Sequence, residues 1–167
     1  DLSAGELLSE LSLPPLKLLK LTKTIQSALK ELIKNVDAIE GMPSLLEKLS
    51  RQGFELGILT SNTKENVELF LEKQQIKEIS FIYSESNLFG KDKALKKIIK
   101  DRDLDKESVI YIGDEARDIE AAQKASIKVA AATWGFNSEE KLRKMRPDYL
   151  VGDPSELITL LGFKGMP

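Results

Sequence analysis

The chain has 167 residues, enough for one domain with a substantial core and a small appendage. Its 25 basic and 27 acidic residues make a balance unlike that of a dedicated nucleic-acid binder. It has no cysteine and no histidine, which excludes disulfides, thiol catalysis and Cys-zinc sites and leaves acid–base work to Asp, Glu, Lys or Tyr. No apolar run approaches membrane-spanning length and no signal-peptide pattern is visible, so no membrane partner and a cytoplasmic location are expected.

Residues 1–40 contain no strand-like run. Leu18, Leu21, Ile25, Leu29, Leu32 and Val36 recur at spacings of three and four. That is one apolar stripe on a long amphipathic helix, set off by Pro14 and Pro15 from a shorter helix before it. The plain reading is a helical hairpin packed on another surface. From Gly41 onward the pattern alternates. Strands are expected at 54–60, 79–84, 108–113, 127–133 and 148–151, and helices at 64–74, 91–102, 115–125, 138–145 and 154–161. Asp153, Pro154 and Glu156 form a capping-box arrangement ahead of the last helix. Alternating strands and helices predict an α/β fold, a Rossmann-like parallel sheet with helices on both faces.

In such sheets ligands bind beyond the carboxyl ends of the strands. Three strand ends therefore become one hypothesis: "LTSN" (59–62), "FGK" (89–91) and "GDEARD" (113–118). After Thr60 a helix begins within a few residues, and its free N–H groups, with the Thr60 and Ser61 hydroxyls, suit a phosphate. Equally, Ser61, Asn62 or Thr63 can simply cap that helix. Lys91 opens a helix, where a cation opposes the helix dipole; it can neutralise phosphate oxygens or be a solvated lysine, and Lys93 is its rival. In "YIGDEARD", Gly113 permits a tight turn, and Asp114 then points into the crevice. Hard oxygens of this kind suit Mg²⁺, which takes only one or two protein carboxylates. Asp118 lies one helical turn on and can hold a metal-bound water or pair with Lys91. The alternative is that Asp114 and Glu115 cap the helix.

"GILTSN", "FGK" and "YIGDEARDIEAA" resemble the second, third and fourth motifs of the haloacid dehalogenase superfamily. "AAATWGFNS" and "RPDYLVGDPSELITLL" resemble its phosphoglycolate-phosphatase-like branch. The resemblance runs from about Gly41 to Leu161, with residues 1–40 similar to part of a helical cap and 41–167 to the α/β core. It implies a Mg²⁺-dependent phosphatase acting on a small phosphorylated metabolite, through an Asp that attacks phosphorus and a second Asp that serves as acid and base. By motif, Thr60 would hold a phosphoryl oxygen, with Ser61 and Asn62 beside it. Lys91 would balance charge on nucleophile and phosphate, Asp114 would bind Mg²⁺, and Asp118 would support it. This chemistry needs neither His nor Cys.

The family's first motif, Asp-x-Asp-Gly-Thr after a hydrophobic strand, does not occur in these residues. Asp1 and Asp37 lack that context. Its absence removes the nucleophile and a strand from the middle of the sheet, exposing backbone edges that are costly to leave unpaired. The chain opens on Asp1 rather than Met, so the expectation is that the strand and nucleophile lie a few dozen residues upstream and that these residues alone are inactive. A phosphotransferase such as a sugar phosphomutase shares the motifs. A non-catalytic phosphate- or metal-binding relative, or a partner-binding module, is the reading from a different class. Ser126 stands where family members often have Gly, a departure expected to affect only a turn.

Overall fold

The computed structural model describes residues 35–84 and 90–162, together with residues 17, 24, 28 and 30–33. The two long stretches belong to two compact units.

The first unit is built on a β-α-β crossover. Helix α1 (Met42–Arg51) starts after Gly41, whose φ of 78° lies in the left-handed region, and buries Leu45 and Leu49 one turn apart. Strand β1 (Leu56–Thr60) leads through helix α2 (Lys64–Lys73) to strand β2 (Ile79–Ser84), and the two strands pair in parallel. Gly57 lies opposite Phe81, and a Cβ there would come within 2.1 Å of the aromatic ring. Residues 30–33 are helical, but Leu32 and Val36 are exposed, and Val36 is past the helix. The Val36 carbonyl instead accepts hydrogen bonds from Lys73 Nζ (3.0 Å) and Gln74 Nε2 (3.1 Å). Leu18, Leu21, Ile25 and Leu29 of the expected stripe, and with them most of the expected cap, lie outside the described residues.

The second unit runs from helix α3 (Lys91–Asp101) through a 3-10 turn (Lys106–Ser108) to strand β3 (Ile110–Gly113). Helix α4 (Ala116–Ala125), strand β4 (Lys128–Ala132), helix α5 (Glu139–Lys144), strand β5 (Tyr149–Val151) and helix α6 (Glu156–Leu160) follow. The sheet order is β3-β4-β5, all parallel. Central β4 is the most buried strand: Val129, Ala130 and Ala131 are fully covered although alanine is a weak strand former, so packing overrides propensity. Ile119, Ala122 and Ala125 of α4 are equally buried, and the alanines let α4 lie close to α3, which buries Ala94, Leu95, Ile98 and Ile99.

Helix α4 ends at Ser126, which adopts φ 58°, ψ 49°. A β-carbon in that left-handed region costs about 1 kcal/mol, and glycine avoids it. Ser126→Gly is therefore expected to raise stability by about 1 kcal/mol, read as a higher urea midpoint with an unchanged slope. An unchanged or lowered midpoint would show that the Ser126 side chain offsets its own strain.

The expected α/β architecture is the one the chain adopts. Observed elements fall within or close to the expected spans, but α1 is not among the expected helices, although Leu45, Leu46 and Leu49 carry a helical spacing and Pro43 stands in its first turn, where proline is tolerated. The last helix begins later than expected. Asp153 accepts from Ser155 N–H (2.8 Å), a turn contact, and Glu156 reaches Gly152 N–H (3.1 Å) rather than the Asp153 backbone. The strands form two sheets, so among the described residues β1 pairs only with β2, and β3 only with β4.

Candidate functional site

Gly113 ends β3 without a left-handed φ, so the turn that follows does not by itself require glycine. Its reason is space. A Cβ on Gly113 would stand 2.4 Å from Asp118 Cβ and 2.6 Å from Asp118 Oδ2. Asp118 sits in the first turn of α4 and folds back over the strand end. Its Oδ2 accepts from the backbone N–H groups of Asp114 (3.2 Å) and Glu115 (3.1 Å), which are free donors at the start of the helix. Its Oδ1 pairs with Lys91 Nζ and accepts from the Tyr111 hydroxyl at 3.4 Å. The acceptor capacity of Asp118 is thus filled by four donors. Both partners of the ion pair are covered, with side-chain exposures of 17% for Lys91 and 3% for Asp118. Asp118 also supplies the negative charge that makes a lysine tolerable at the N-terminus of α3. Burial first, then the Asp118 charge, pushes the Tyr111 phenol well above its ordinary value, so it stays a protonated donor.

Asp114 is held differently. Its Oδ2 accepts from Phe136 N–H at 2.8 Å, and its backbone carbonyl accepts from Asn137 N–H at 3.1 Å. Its Oδ1 has no hydrogen-bond partner among the described residues. Asn137, only 1% exposed, accepts Ala116 N–H at 2.8 Å through its side chain and so caps a further free donor of α4. Arg117 pairs with Glu115 at 2.6 Å, which explains a cation between two acids. No group of three or more acidic ligands occurs among the described residues. Mg²⁺ does not need one, and an unengaged carboxylate oxygen beside a saturated Asp–Lys pair suits a hard cation that keeps most of its waters.

The first unit carries the other cluster. Thr63 caps α2, its Oγ1 accepting from Asn66 N–H at 3.3 Å. Of the three residues proposed as the cap, Thr63 takes that role. Asn62 Oδ1 accepts from Thr63 N–H and from Asn66 Nδ2, both at 2.9 Å. Thr60 Oγ1 accepts from Asn62 N–H at 3.0 Å, and the Ser84 hydroxyl donates to the Asn62 carbonyl at 2.6 Å. These bonds fix the turn after β1, while the Ser61 hydroxyl makes none among the described residues.

Of the sequence-predicted residues, Lys91, Asp114 and Asp118 come together in the second unit, and Thr60, Ser61 and Asn62 in the first. Lys93 is exposed. Sequence reasoning did not single out Tyr111, Gly135, Phe136 or Asn137 for this site. Tyr111 opens the quoted "YIGDEARD", and the signal for the other three was "TWGFN", used there as a family likeness.

Strand-end carboxylates and hydroxyls and a largely covered lysine sit on the parallel strands and helices of an α/β protein. The chain belongs to the haloacid dehalogenase-like hydrolases, whose family profile matches residues 3–132. It is 31% identical over 157 residues to a phosphoglycolate phosphatase of Synechococcus elongatus, covering 93% of this chain and 74% of that one. It is 27% identical over 130 residues to pyrophosphatase PpaX of Bacillus cereus, covering 75% of this chain and 60% of the relative. A haloacid dehalogenase-like hydrolase structure from Streptococcus pneumoniae shares the fold with a TM-score of 0.77 at 23% identity, covering 91% of this chain and 73% of that one. No helix among the described residues is long and apolar enough to cross a membrane.

Proposed function

We propose that this protein is a Mg²⁺-dependent phosphatase that hydrolyses a small phosphomonoester through an aspartyl-phosphate. The observation that carries this reading is the largely covered Lys91–Asp118 pair beside Asp114, whose Oδ1 has no hydrogen-bond partner among the described residues. The family membership and the phosphatase names of its relatives support it. In the reaction a carboxylate oxygen attacks phosphorus, the ester P–O bond breaks, and the alcohol leaves with a proton from a second Asp. Water then hydrolyses the acyl phosphate. Thr60 holds a phosphoryl oxygen, with Ser61 and Asn62 shaping the turn that presents it. The Lys91 ammonium offsets negative charge on the nucleophile and the phosphoryl group. Asp114 would hold Mg²⁺. Asp118, its oxygens already engaged, fixes Lys91 and supports the metal indirectly. When bound, Mg²⁺ supplies positive charge to the transferring phosphoryl group.

The attacking Asp is not supplied by an Asp-x-Asp-Gly-Thr motif within the 167 residues. The test is phosphate release from small phosphomonoesters, phosphoglycolate among them, with Mg²⁺ and with EDTA. The protein is assayed with any residues that precede Asp1, and the 167 residues are assayed alone. Release is expected from the former, abolished by EDTA, and not from the latter. Metal binding without turnover by the former would overturn the reading in favour of a non-catalytic relative.

A further inference from the structure

We infer that the turn 134–137 is a positioning clamp that sets how Asp114 presents its carboxylate, and that Gly135 and Asn137 are its positioning residues. The inference rests on the metal reading of Asp114 and extends it to residues that touch neither metal nor substrate. Strands β3 and β4 are parallel neighbours with Gly113 opposite Ala131, so their carboxyl ends lie side by side. The chain leaving β4 therefore passes directly over the chain leaving β3.

Three contacts join the two. Phe136 N–H donates to Asp114 Oδ2 (2.8 Å), and Asn137 N–H donates to the Asp114 carbonyl (3.1 Å). The buried Asn137 side chain holds Ala116 N–H (2.8 Å), tying the turn to the first residue of α4. Gly135 makes room for this. A Cβ there would lie 2.1 Å from both Asp114 Cβ and Asp114 Oδ2, and Gly135 has no left-handed φ, so its requirement is steric alone. The clamp engages one carboxylate oxygen, and the other has no hydrogen-bond partner among the described residues. Mg²⁺ demands near-ideal octahedral geometry at short distances, so a carboxylate turned by a fraction of an ångström is a poorer ligand. Groups that orient a metal ligand by hydrogen bonding commonly change affinity ten- to a hundred-fold.

The test is Mg²⁺ titration by calorimetry on the protein, on Gly135→Ala and on Asn137→Ala, with melting temperatures of the metal-free forms. Both variants are expected to bind Mg²⁺ roughly ten-fold or more weakly while remaining folded. A merely structural glycine would lower the melting temperature without moving the Mg²⁺ affinity of the folded protein. The Gly135→Ala collision is with the Asp114 side chain. Because that contact includes the Asp114 Cβ, its melting penalty is expected to shrink in an Asp114→Gly background, which removes every Asp114 atom that the new Cβ would meet. That cycle needs no metal and also serves if Gly135→Ala folds poorly at high temperature. Absence of Mg²⁺ binding by the unaltered protein would overturn the metal reading beneath the clamp. Unaltered affinity in both variants, or an equal melting penalty in the Asp114→Gly background, would overturn the clamp itself.

Discussion

Asp114→Asn is expected to abolish Mg²⁺-dependent phosphate release while leaving the fold intact. Asparagine has nearly the same shape as aspartate and keeps an oxygen able to accept Phe136 N–H, so the 2.8 Å contact that holds the turn can persist. The backbone bond from Asn137 to the residue 114 carbonyl does not depend on the side chain. What changes is the charge on the unengaged side of the group. A neutral amide is a weaker ligand for a hard dication than a carboxylate, and the amide orientation that keeps the Phe136 contact turns an NH₂ donor toward the metal. Phosphate release and thermal melting of the same preparation check this. Activity within about ten-fold of the unaltered protein, roughly 1.4 kcal/mol of barrier, would show that Asp114 is not the metal ligand. A large drop in melting temperature would make the activity loss uninformative about metal, and the charge-preserving Asp114→Glu would then be compared.

Lys91→Ala is expected to be as severe for catalysis and harsher for stability. Lys91 is the charged partner of an almost fully covered carboxylate. Removing one member of a buried pair leaves the other unpaired, at a cost of about 3 kcal/mol. The cost here is moderated by the two backbone N–H groups and the Tyr111 hydroxyl that remain on Asp118. On the proposed chemistry the variant also removes the cation that meets phosphoryl charge, an effect of about a hundred-fold or more on turnover. Lys93→Ala is the control, since that side chain is exposed two residues along the same helix. Denaturant midpoints and turnover of both variants decide the matter. A damaging Lys93→Ala beside a mild Lys91→Ala would reverse the assignment. A destabilised but fully active Lys91→Ala would make the pair purely structural.

The sequence was informative where the chemistry is local. Hydrophobic runs ending in small or polar residues placed the strand ends at Thr60 and Gly113 to the residue. The i, i+4 spacing of Asp114 and Asp118 put both acids at one helix start. It was less informative about reasons. The sequence suggests that Gly113 serves a tight turn, but its lack of a side chain makes room for Asp118, which folds back onto it, a contact that no spacing rule contains. Val36 completed an apolar periodicity, yet it lies beyond the helix and exposed, because periodicity does not mark where a helix stops.

By itself, then, the sequence determined the class of the fold, the order of its strands and helices from β1 onward, and the short list of acids, hydroxyls and lysines able to do chemistry. Each of these follows from patterns within about a dozen residues, the range over which helix and strand periodicity act. Only the tertiary structure decided which of two lysines pairs with Asp118, which residue caps α2, and which segment orients Asp114. Those outcomes depend on contacts between positions far apart in the chain: 27 residues from Lys91 to Asp118, and 22 from Asp114 to Phe136. The parallel pairing of β3 with β4 sets the second of these distances in space, and packing of α3 on α4 sets the first.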